Sequence, residues 1–76
     1  MLRILADFND VSLDGKRVRI TDGTQPNTQG FLIGQRVIVY EVDDFEVEAI
    51  LEKDILKDGR EIWYAVPDWS TRRDLS

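Results

Sequence analysis

The chain has 76 residues, a net charge of −5, and neither cysteine nor histidine. This length predicts one domain, and the composition excludes disulfides, thiolate metal sites and catalysis by Ser–His or Cys–His pairs. The charge is uneven, because residues 39–76 hold eleven acidic and five basic side chains. Such a bias repels phosphate backbones and favours a basic protein partner, unless the acids only form a solubilising face.

The N-terminus carries too short an apolar run for a signal peptide, and no window approaches the roughly 20 apolar residues of a membrane span. The absence of cysteine is compatible with a reducing compartment. We therefore expect a cytoplasmic protein with no membrane contact.

Apolar residues recur at every second position along most of the chain, which predicts strands. Leu2–Phe8 and Lys16–Thr21 alternate in this way, and the turn residues of Asn9–Gly15 between them predict an N-terminal hairpin. The polar stretch from Asp22 to Gly30 predicts a surface loop, either a plain connector or a functional loop.

Three further segments alternate in the second half of the chain, namely Gln35–Glu41, Phe45–Ile55 and Arg60–Val66. Together, residues 1–76 predict one all-β domain of five to six antiparallel strands. An SH3-like small barrel or half-open roll fits this number of short strands best, since no segment leaves room for a helix.

The C-terminal tail begins at Pro67, which lacks the N–H that a central strand needs and therefore ends regular pairing. We predict a short helical turn after it, capped by Asp68 or Ser70. A last short strand then follows, with Leu75 buried.

A candidate contact surface follows from treating Asp58-Gly59 as a two-residue hairpin tip. In that register Trp63 lies on the same face as Ile50, among acidic residues. An indole among carboxylates suits a lysine or arginine of a partner protein. The predicted contact residues are Trp63, Ile50, Trp69, Glu48 and Glu52.

Three alternatives stay open at this point. Trp63 belongs to the core if the sheet is covered on that side, and Trp69 then plugs one end of the barrel. A basic strip of Lys16, Arg17 and Arg19 suggests nucleic-acid binding, unless it pairs internally with the acidic strands. The chain is, as a third possibility, a structural subunit of a homo-oligomer.

No catalytic residue, cofactor or specific metal ion is predicted. Paired carboxylates need a substrate cleft that a chain this short can hardly form. Asp43 and Asp44 occupy a turn suited to a hard cation, but their spacing does not match the calcium-binding loop pattern. We therefore expect a non-enzymatic protein.

Three phrases of the chain, "FNDVSLDGKRVRI", "GQRVIVYEVDDFEVEA" and "WYAVPDW", resemble those of a group of short bacterial hypothetical proteins. The matching positions are Phe8, Asn9, Asp10, Gly15, Arg17, Val18, Arg19, Gly34, Val37, Tyr40, Glu46, Val47, Trp63, Ala65, Asp68 and Trp69. The segment Thr21–Ile33 departs most from the pattern. The resemblance implies a bacterial, cytoplasmic, all-β protein, and it carries no activity.

Overall fold

The computed structural model describes residues 2–9, 11, 15–20 and 31–75. The predicted loop from Asp22 to Gly30 lies outside these described residues. The described residues form six strands and one 3-10 turn, which are β1 (Arg3–Leu5), β2 (Val18–Ile20), β3 (Arg36–Glu41), β4 (Phe45–Ile55), β5 (Glu61–Pro67), the 3-10 turn (Trp69–Thr71) and β6 (Arg73–Asp74).

The strands form a single curled sheet with the order β1-β3-β4-β5-β2, and β6 pairs with the start of β4. This confirms the predicted all-β small barrel or half-open roll, with its short helical turn near the C-terminus. β1 runs parallel to β3, whereas the other strand pairs are antiparallel. The two edge strands of the described sheet, β1 and β2, do not pair with each other, so the roll is half-open.

The predicted N-terminal hairpin is wrong, because β1 and β2 lie at opposite edges of the sheet. Hairpin loops usually have two to five residues, and residues 6–17 are too long a connection to impose that pairing. β1 extends along β3 instead, where Ala6 donates its N–H to the carbonyl of Tyr40 at 3.0 Å. An antiparallel bridge between Val11 and Val18 is the local pairing that β2 retains with the preceding chain.

β4 is the central strand, and its bounds agree with those predicted from the sequence. β3 pairs with its first half, and β5 pairs with its second half. β5 ends at Pro67, after which the carboxylate of Asp68 accepts the N–H of Ser70 at 3.2 Å and caps the 3-10 turn, as predicted. Leu75 is 43% exposed, because it follows β6 at the edge of the sheet, so its predicted burial is wrong.

Alternation along the strands builds one core. Phe45, Val47, Ala49 and Leu51 of β4 point to the core face and are each at most 7% exposed. The other buried apolar residues are Ile4, Ala6, Val18, Ile20, Val37, Val39 and Ala65. The opposite side of the sheet, here the outer face, carries the alternate residues of β4, namely Glu46, Glu48, Ile50, Glu52 and Asp54.

The hairpin between β4 and β5 has a loop of residues 57–59, one residue longer than predicted. Gly59 adopts a positive φ of 87° and donates its N–H to the carbonyl of Leu56 at 2.9 Å. Glycine adopts this backbone conformation without a steric penalty, and a glycine there gives a three-residue turn with a bulge. As a result Leu51 lies opposite Ala65, which shifts the predicted register by one residue.

This shift moves Trp63 to the core face. Trp63 lies opposite Lys53, packs against the core and makes an edge-to-face contact with Phe31, with 5.5 Å between ring centroids. Ile50 stays on the outer face, opposite Val66. The predicted surface that combined Trp63 with Ile50 is therefore wrong, and the alternative that places Trp63 against the core agrees with the structure.

Candidate functional site

The outer face of β4 is acidic in sequence, but each of its four carboxylates pairs with arginine. The pairs are Glu46 with Arg3 and Arg73, Glu48 with Arg36, and Glu52 and Asp54 with Arg17. The predicted contact residues Glu48 and Glu52 are thus engaged within the chain. The outer face does not present the free acidic surface on which the prediction depended.

Glu46 is the buried member of this set, at 5% exposed. Arg3 of β1 donates to one of its carboxylate oxygens, and Arg73 of β6 donates to the other. Burial raises the pKa of Glu46, but the hydrogen bonds from the two guanidinium groups more than offset this, so its pKa lies below the ordinary value. One carboxylate therefore joins the first and last strands to β4.

Glu48 lies under the 3-10 turn and helps to fix it. Its carboxylate accepts from Arg36 Nε at 2.7 Å, and its backbone N–H donates to Thr71 Oγ1 at 2.9 Å. The Ser70 hydroxyl donates to Asp68 at 2.6 Å, which lowers the pKa of that carboxyl below its ordinary value. These bonds fix the backbone of the turn that carries Trp69.

The predicted nucleic-acid strip of Lys16, Arg17 and Arg19 is not a row of free cations. Arg17 binds both carboxylate oxygens of Asp54, at 2.8 and 3.2 Å, and its guanidinium lies 4.0 Å from the ring centroid of Tyr64. The hydrogen bonds from Arg17 lower the pKa of Asp54. Lys16 also has an interaction partner, and Arg19 is exposed. For Arg17 the structure agrees with the alternative in which the basic strip pairs internally with the acidic strands.

An aromatic cluster of Phe8, Phe45 and Trp69 lies at the end of the sheet where β4 begins. The ring centroids are 4.7 Å apart for Phe8 and Phe45, 5.8 Å for Phe8 and Trp69, and 5.9 Å for Phe45 and Trp69. Phe45 is 7% exposed, and the Arg72 guanidinium covers its ring at 4.5 Å. Trp69 is 53% exposed. The cluster therefore presents an indole to solvent on a packed aromatic base.

Trp69 lies far from Trp63, the other tryptophan among the predicted contact residues. Trp63 pairs with Lys53, eight positions along β4 from Phe45. At about 3.3 Å per residue this separation is roughly 26 Å. Of the five predicted contact residues, Trp69 alone belongs to the aromatic cluster.

Uncompensated negative charge lies beside the aromatic cluster. All ten lysines and arginines belong to the described part of the chain. Within that part, four carboxylates form no ion pair, those of Asp7, Glu41, Asp43 and Asp44. Asp7 follows β1, Glu41 ends β3, and Asp43 and Asp44 belong to the connection between β3 and β4. We call these four residues the acidic turn patch.

The acidic turn patch is joined directly to the aromatic cluster. Glu41 Oε1 accepts the backbone N–H of Phe8 at 3.0 Å. An open groove of about 360 Å³ runs between the end of β1 and the β3–β4 turn. Its lining residues are Leu5, Ala6, Asp7, Glu41 and Val42. This end of the molecule thus combines exposed apolar surface with carboxylates that have no cationic partner.

Among the described residues, no group of three or more histidine, cysteine, aspartate or glutamate side chains is arranged to hold a metal ion. The turn at Asp43 and Asp44 is among these residues. No helix in the described ranges is long and apolar enough to cross a membrane.

Sequence reasoning identified Trp69 but missed the residues that surround it. Phe8 and Phe45 were assigned to strand faces by their alternation, which does not show that two strand ends meet. The available signal was position, because Phe8 closes the first predicted segment and Phe45 opens the longest one. Which carboxylates are neutralised by an ion pair and which are free could not be read from any pattern in the sequence.

Comparison of the chain with protein-family models, with curated proteins and with solved structures finds no match. The resemblance to short bacterial proteins therefore stays a prediction.

Proposed function

We propose that this chain is a non-enzymatic protein-interaction module that docks a basic segment of a partner protein on the aromatic cluster and the acidic turn patch. The observation that carries the proposal is the 53% exposure of Trp69 on a base of Phe8 and Phe45, which directly follow Asp7 and Asp44 in sequence, two of the four carboxylates without an ion pair. We place this activity in the bacterial cytoplasm on the sequence grounds given above.

The aromatic cluster has the physical properties of a binding anchor. Tryptophan is enriched among interface residues that dominate binding energy, because it buries a large apolar area with few rotatable bonds. Trp69 already packs on Phe8 and Phe45, and Glu48 fixes the turn that carries it. Binding therefore costs little additional side-chain ordering at this position.

The charge of the partner follows from complementarity. The acidic turn patch has no cation of its own to neutralise it in the described chain. A lysine or arginine contacts the exposed indole through a cation–π interaction while its charge faces these carboxylates. Charge of this kind raises the association rate and makes binding weaken as salt increases.

Selection from a displayed random dodecapeptide library on the intact protein tests this function. We expect recovered peptides to be rich in arginine and lysine, and Trp69→Ala to reduce their binding at least tenfold. The matched control is Leu32→Ala, which removes another exposed apolar side chain, 67% exposed, from a different loop. Recovery of neutral peptides, or equal binding by Trp69→Ala, overturns the proposal.

Light scattering on the same sample separates this function from the homo-oligomer alternative. We expect a monomer whose mass is independent of concentration. A dimer that dissociates in Trp69→Ala would assign the aromatic cluster to self-association instead.

A further inference from the structure

We infer that the groove between the end of β1 and the β3–β4 turn binds one arginine side chain of the partner protein. This inference rests on the proposed function and adds the chemical class that the site selects. The groove, of about 360 Å³, adjoins the aromatic cluster through the hydrogen bond from the Phe8 N–H to Glu41.

The lining of the groove matches the two parts of an arginine side chain. Leu5 and Val42 offer apolar walls, and Val42 is 65% exposed, whereas Ala6 is only 3% exposed. The aliphatic stem of a long basic side chain packs on such a surface while its charged head stays in polar surroundings. Asp7 and Glu41 supply the carboxylates for that head.

Both carboxylates have acceptor capacity left for a ligand. Asp7 Oδ1 accepts the N–H of Asn9 at 2.9 Å, and Glu41 Oε1 accepts the N–H of Phe8 at 3.0 Å. A carboxylate accepts several hydrogen bonds, so each retains free lone pairs after this single bond. The existing bonds also restrict how far the two side chains rotate, which orders the site before binding.

Arginine fits two separate carboxylates better than lysine does. Its planar guanidinium presents five N–H donors in a fixed fork, whereas an ammonium is a compact point charge. Hydrogen bonds from a guanidinium to carboxylates are about twice as strong as those between neutral groups. The groove is therefore expected to prefer arginine over lysine, and both over a neutral side chain.

The test uses a fluorescein-labelled decapeptide of alternating arginine and proline, in which proline keeps the chain extended. Its counterparts carry lysine or the neutral analogue citrulline at every arginine. The protein variant is Asp7→Asn combined with Glu41→Gln, which keeps one acceptor oxygen on each side chain for the bonds from Asn9 and Phe8 and replaces the other oxygen, with its charge, by an NH2 group. The control is Asp58→Asn in the distant β4–β5 hairpin loop.

We expect the double variant to bind the arginine peptide about five- to tenfold more weakly, and citrulline to have a similar effect. Asp58→Asn should leave the affinity unchanged. If Trp69→Ala weakens binding but the double variant does not, the groove assignment is wrong and the proposed function stands. If neither variant changes the affinity, both proposals are wrong.

Discussion

Arg3 of the first strand and Glu46 of the central strand form an ion pair on the outer face, and Arg73 of the last strand binds the same carboxylate. The pKa of Glu46 is therefore lower in the folded chain than in the unfolded chain. A carboxyl group of this kind stabilises the fold above its unfolded pKa, at about 4.3. That stabilisation is lost as the pH falls through the folded pKa, because the unfolded chain binds the proton more tightly.

We expect Glu46→Gln to unfold at lower urea than the parent protein at pH 7. The difference between the two should shrink as the pH falls from about 5 to 3, since the parent loses the contribution that the variant lacks. Urea midpoints across pH 3–7 measure this. Glu61→Gln, at an exposed pair with Lys53, is the control. A constant difference between parent and Glu46→Gln across this range contradicts the linkage.

Arg17 is expected to act in stability and not in nucleic-acid binding. Arg17→Ala removes the two-point contact with Asp54 and the stack on Tyr64. We expect Tm to fall by about 4–8 °C, the shift that ~1 kcal/mol produces in a domain of this size. Arg19→Ala, at an exposed position, is the matched control and should leave Tm unchanged.

The same two variants test the nucleic-acid alternative. A fluorescent single-stranded oligonucleotide at low salt should bind neither the parent nor the variants. Salt-sensitive binding that both substitutions weaken would restore the basic strip as a functional surface.

Gly59 is expected to tolerate asparagine better than alanine. Its φ of 87° lies in the left-handed region, and an added Cβ meets no atom within 4 Å, so the penalty is conformational and not steric crowding. Alanine should cost about 1–2 kcal/mol, whereas asparagine populates this region more readily. Urea unfolding of Gly59→Ala and Gly59→Asn gives the comparison. Equal losses of stability for the two variants are the result that contradicts this explanation of the loop.

The sequence predicted the strands well because alternation is a local property. The whole of β4, the end of β5 at Pro67 and the cap at Asp68 could be predicted in this way. The hairpin register could not, since a two-residue and a three-residue loop are both compatible with Asp58-Gly59. The one additional loop residue places Trp63 on the opposite face of the sheet from the one predicted.

The site was harder to predict than the fold because it depends on contacts between distant segments. Whether an acidic residue is free depends on which arginine reaches it, and Glu46 pairs with Arg3, 43 positions away. Trp69 could be nominated as a large aromatic residue after a proline. Its contact with Phe8 follows only from the parallel placement of β1 beside β3.

Trp69→Ala is expected to leave the fold intact, which makes it usable as a binding variant. Trp69 is 53% exposed, and an aromatic contact contributes about 0.5–1.5 kcal/mol beyond area burial. We expect a loss of about 1 kcal/mol in unfolding free energy. Leu51→Ala, at a fully buried position, should cost about 2–5 kcal/mol. Comparable losses for the two variants would show that Trp69 is a core residue.

The most direct test of the contact surface follows the indole of Trp69 itself. In a Trp63→Phe variant, Trp69 is the one remaining tryptophan, so its fluorescence reports this position alone. Titration with the unlabelled arginine–proline decapeptide should change its emission in a saturable manner, and the apparent affinity should weaken as salt increases. The account is contradicted if the labelled peptide binds this variant by anisotropy while the emission of Trp69 stays constant.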